Sequence, residues 1–90
     1  MTDLPPLDAD TTARRAAALL TDEVLIGALD QLERDCTDAW GATKLADTTG
    51  REIAWHTMKA SHRLRAYLAA MVDEGKVLAA RRTVQQAVRT

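Results

Sequence analysis

The sequence predicts an all-α protein, an antiparallel αα-hairpin of two long helices with short N- and C-terminal helices packed on it. Three observations carry that expectation. Apolar residues recur at helical spacing in two long segments, beginning at Leu25 and at Ile53. Helix-capping residues precede both segments, and one connector of a few residues lies between them. The apolar set is dominated by Ala and Leu, with no Phe, and Val, Ile and Thr never form the alternating runs of strands.

Residues 1–8, with Pro5-Pro6 and little to bury, read as a flexible N-terminal arm. Residues 9–90 read as a single helical domain. Asp8 or Asp10 is placed to cap a first helix ending near Leu20. Thr21 is the expected cap of the second, with Asp22 and Glu23 at the positive end of its dipole. Along that helix Leu25, Leu29, Leu32, Cys36 and Trp40 share one face, and Gly41 marks its end. Residues 41–48 form the connector. Thr49-Gly50-Arg51-Glu52 matches a capping box, with Asp47 or Thr48 as alternative caps slightly earlier.

The third helix is expected over residues 50–74, with Ile53, Thr57, Ala60, Leu64, Tyr67, Leu68 and Met71 on its inner face. Gly75 reads as a left-handed stop, followed by a fourth helix over residues 77–87.

Residue chemistry narrows the function classes. His56 and His62 are separated by about 240° on a helix and cannot share a metal ion, so no metal site is expected. Cys36, the only cysteine, belongs to an apolar stripe and excludes an internal disulfide. Ser61 and His62 are adjacent and point to different faces, and the four glycines are isolated from any phosphate-cradling pattern. The chain is therefore expected to be no enzyme, with no catalytic residue, cofactor or small-molecule substrate. No apolar run is long enough to span a bilayer, and the first residues lack a signal-peptide pattern. A cytoplasmic protein is expected.

Net charge is -1, but it is unevenly spread. Residues 1–50 hold 10 acidic and 4 basic residues, whereas residues 51–90 hold 3 acidic and 8 basic. Three readings follow. Asp30, Glu33, Asp35 and Asp38 on the second helix can flank a hairpin seam opposite Lys59, Arg63 and Arg65, fixing its register or joining two copies. Lys59, Arg63, Arg81 and Arg82 can present a basic surface to nucleic-acid phosphates, as in a small regulatory protein, although a solvated helix face accounts for them as well. The acidic helix can also mimic nucleic acid against a nucleic-acid-binding enzyme, through Asp30, Glu33 and Asp38.

Trp55 stands about 200° from Ile53, off the inner stripe, and shares a broad second arc with Ala54, Met58, Ala66, Ala69 and Val72, of which all but Ala54 are the candidate partner interface. One hairpin partner cannot bury both arcs. The second arc is covered by the terminal helices or else serves as a partner interface. A protein–protein interaction or assembly module, self-associating or bound to another protein, is the leading expectation.

The run Trp40-x-x-Thr43, Asp47, Arg51-Glu52-x-x-Trp55, Arg63-Leu64-Arg65-x-x-Leu68 and Gly75-Lys76 resembles short helical proteins of tailed phages and prophages, over roughly residues 25–80. That family is of uncharacterised function. The resemblance implies an accessory role, in virion assembly or in binding a host protein, and assigns no functional residue.

Overall fold

The structure, a computed structural model, describes residues 8–89; of the arm expected over residues 1–8, all but Asp8 lies outside them, and Asp8 caps α1. It is all-helical: α1 spans Ala9–Leu20, α2 Glu23–Ala42 and α3 Thr48–Arg89. Caps set these limits. The Asp8 carboxylate accepts the Thr11 amide at 2.7 Å, as the sequence allowed. The cap of α2 is Asp22 rather than Thr21, accepting the Leu25 amide at 2.8 Å. Thr21 instead closes α1, its hydroxyl donating to the Ala17 and Ala18 carbonyls. Helix α3 starts from Asp47, which takes the Gly50 amide on its carboxylate at 2.8 Å; the box at Thr49 is not formed. Arg51 donates to the Lys44 and Leu45 carbonyls and ties the five-residue connector to the first turn of α3.

The expected break at Gly75 does not occur. Helix α3 runs unbroken for 42 residues, and no described residue has a positive φ. There is no separate fourth helix. Gly75 serves a different purpose, because a Cβ there would approach the Ala13 Cβ closer than 3.0 Å. The glycine is what lets α1 lie against α3.

Both α1 and α2 pack on α3 and touch each other little. Ala13 meets Gly75 and Asp10 pairs with Arg82, while Glu33 meets His62 and Arg65. Going forward along α1 and α2 therefore means going backward along α3. The two shorter helices follow one another along the long one, separated only by Thr21 and Asp22.

The buried residues of α3 are Ala54, Ser61, Leu68 and Gly75, each seven residues from the last. A seven-residue repeat keeps one line of a helix facing its partner. Three of the four are small, which permits close approach; the buried residues of α1 and α2 are Ala16, Leu29 and Cys36. This corrects the expected inner stripe. Ile53, Leu64, Tyr67 and Met71 are exposed, and only Leu68 of the large residues in that stripe is buried. On α2, Leu29 and Cys36 are buried as expected, but Leu32 and Trp40 are not. The molecule measures 68 × 30 × 23 Å, with a radius of gyration of 19.1 Å. A compact chain of this length would have about 12 Å.

Candidate interaction surface

The seam divides the surface of the rod into two sides of different chemistry. On α3, Leu64 lies about 60° to one side of Ser61 and Arg65 about 40° to the other; on α2, Leu32 and Glu33 flank Leu29 in the same way. Arg65 and Glu33 are paired, so Leu64 and Leu32 share the opposite side.

The first side is polar over the middle of the rod. Arg65 donates to Asp30 Oδ1 at 2.7 Å and, through Nε at 3.1 Å and Nη2, to Glu33 Oε2. His62 Nε2 lies 2.9 Å from the other Glu33 oxygen. These hydrogen bonds, first to Glu33 and then to Asp30, push the Arg65 guanidinium further up from its ordinary value. Of the expected seam-flanking cations, Arg65 alone among the described residues takes that part. Lys59 instead places Nζ 4.9 Å from the Trp55 ring centre, and Arg63 donates to Tyr67 Oη at 2.6 Å while lying over the Tyr67 ring.

Toward the connector the same side becomes apolar. Cys36, Thr37, Trp40, Ala54, Trp55 and Met58 line a cleft of about 150 Å³. Trp55 and Met58 thus meet at one place. Val72 lies further along, half-buried against α1, and Ala66 and Ala69 are exposed on α3 between them. The five residues of the expected partner interface do not form one patch.

The expected basic surface is likewise dispersed. Lys59 and Arg82 are about 35 Å apart along α3 at 1.5 Å per residue. Arg82 is paired with Asp10, and Arg81 borders a shallow depression with Val77 and Val84. Of the acids considered for nucleic-acid mimicry, Asp30 and Glu33 are both held by Arg65. Among the described residues no group of three His, Cys, Asp or Glu side chains is placed to hold a metal ion. No helix among them is long and apolar enough to cross a membrane.

The second side is the one that residue-by-residue reading assigned to the core. Leu19, Leu32, Leu64, Tyr67 and Met71 line it, with Ile53 toward the connector, and each retains between 39% and 63% of its accessible surface. Leu25 is half-buried among them. Scattered apolar residues are ordinary on a protein surface, but a continuous row on one side of a two-helix layer is not. The signal was present in the sequence: Ala54, Ser61 and Gly75 recur with Leu68 at intervals of seven, marking the close-packed line and leaving the larger residues beside it.

No family model, curated protein or solved structure matches the chain.

Proposed function

We propose that this chain is a non-enzymatic helical interaction module that works by self-association, its partner surface being the row Leu19, Leu32, Leu64, Tyr67 and Met71. The single observation that carries this reading is the exposure of that row on a molecule only two helices thick. In a helical bundle each helix buries a broad apolar stripe. Here each helix buries only a narrow line against its neighbour, and the adjoining large residues face outward. A second layer of helices is what would complete the core. On the resemblance to small helical proteins of tailed phages and prophages, the module is further proposed to be a phage-related accessory protein.

The partner surface therefore differs from the one expected around Trp55. Sedimentation or light scattering at micromolar concentration tests the proposal, with a dimer or higher oligomer as the expected result. Leu32→Glu combined with Leu64→Glu should yield a monomer that keeps its helical circular dichroism. A wild-type chain that stays monomeric across that range would overturn the reading.

A further inference from the structure

We infer that the partner is a second copy of this chain lying face to face, with the two-fold axis running along the helices, so that α3 of each copy rests on α2 of the other. The inference rests on the self-association just proposed and adds the geometry of the complex. Two layers meeting through the same face have two symmetric arrangements. An axis along the helices sets α3 on the partner's α2. An axis across them sets α3 on α3 and α2 on α2.

Charge separates the two arrangements. Arg65 holds Asp30 and Glu33 on the polar side, so the charges that border the middle of the apolar row are Asp35 on α2 and Arg63 on α3. Setting like helix on like helix would juxtapose acid with acid and base with base, whereas setting α3 on α2 pairs opposites. Position along the rod agrees. Glu33 is level with His62, and the register runs backward along α3 from there. Leu32 is thus level with Arg63, within one residue or about 1.5 Å of Leu64, Leu25 likewise within one residue of Met71, and Asp35 is level with Ala60. A two-fold axis along the rod preserves these levels, so Leu64 faces the partner's Leu32 and Met71 the partner's Leu25.

Arg63 supplies the polar rim. Its guanidinium leans on Tyr67 and so lies at the border of the apolar row. It stands about 4.5 Å along the axis from the level of the partner's Asp35, within reach of an arginine side chain. The row is roughly 35 Å long from Ile53 past Met71 and two helix diameters wide. That gives about 700 Å² per copy, close to the ~800 Å² that a standard stable interface buries on each partner.

Two measurements test the arrangement. Arg63→Glu and Asp35→Arg, each alone, should weaken the dimer about tenfold, since both rims then oppose like charges. Mixed in equal amounts, the two variants should form a heterodimer in native mass spectrometry, because each then offers the other an opposite charge at both rims. Separately, a spin label at Leu45, placed by Leu45→Cys in a Cys36→Ala background, reports where the two connectors lie. Leu45 is 93% exposed, so the label disturbs no packing. Connectors at the same end give a separation within the 30 Å width of the molecule, and connectors at opposite ends one of about 50 Å. A wild-type dimer with the long separation and no preference for the heterodimer overturns the arrangement while leaving self-association standing. A wild-type monomer removes both.

Discussion

Replacing Gly75 with Ala sets two effects of known sign against each other. Alanine favours a helix interior over glycine by about 0.8–1 kcal/mol. On that ground alone Gly75→Ala would stabilise a helix running unbroken from Thr48 to Arg89. Against this, the new methyl group would sit closer than 3.0 Å to the Ala13 Cβ. Neither atom is the end of a flexible side chain; both are fixed to helical backbone, so α1 and α3 must separate by about 1 Å to restore ordinary contact. Overpacking of this kind costs about 1–3 kcal/mol, toward the upper end where backbone has to move. The expected net effect is a loss of about 1–2 kcal/mol. Thermal and urea denaturation followed by circular dichroism measure it, the thermal midpoint falling by about 4 °C or more for a domain of this size.

Gly27→Ala is the internal control. No atom lies within 4 Å of its added methyl, so it should gain most of the propensity term. Ala13→Gly in the Gly75→Ala chain should recover packing, which distinguishes a clash between helices from a glycine needed for its backbone conformation. If Gly75→Ala stabilised as much as Gly27→Ala, or if Ala13→Gly gave no recovery, the reasoning would be refuted.

Two further outcomes are expected. Ser61 is 3% exposed and its hydroxyl has no hydrogen-bond partner, so Ser61→Ala removes a desolvation cost of about 1–3 kcal/mol and improves helix propensity; the urea midpoint should rise, reporting a stability gain of about 1–2 kcal/mol, and a fall in the midpoint would mean that the hydroxyl is engaged. The Thr11 amide, and next its hydroxyl, hold the Asp8 carboxyl below its ordinary value of 3.8, so the cap's contribution is complete above that pH and is lost as pH falls through the lowered value. Amide exchange in the first turn of α1 should accelerate over that acid range, and Asp8→Asn, which still caps, should abolish the dependence.

How far the sequence spoke for the fold depended on what each signal measures. Capping chemistry is local: it offered Asp8 for α1, and for α3 it favoured a box at Thr49 where the alternative two residues earlier, Asp47, is the cap. It failed by one residue at Thr21 because Asp22 offers a stronger acceptor to the same turn. Gly75 has two uses, left-handed backbone and close approach, and only the neighbour Ala13 decides between them. The inversion on α3 has the same origin. Periodicity ranks faces by hydrophobicity, which favours Leu64, Tyr67 and Met71, while the distance between two backbones is set by the smallest residues, Ala54, Ser61 and Gly75. The ion cluster at Arg65 was foreseeable as charge across a seam, but not the diversion of Lys59 and Arg63 onto aromatic rings. Those contacts lie within α3 itself, between residues four apart, and need no second helix.

The two residues between α1 and α2 divide one arm of the molecule into pieces of unequal hold. Helix α2 is anchored by Leu29, Cys36 and the contacts of Arg65 and His62 with Glu33, and it joins α3 through a short, hydrogen-bonded link. Helix α1 buries a lone alanine fully, grips through the Ala13–Gly75 approach and one ion pair at Asp10, and is joined to the rest at its C-terminal end. Close backbones give it many near neighbours but little apolar area, and it is area that resists water. The first helix can consequently peel away while the remainder stays zipped, baring Val72 and Gly75 along the far half of α3.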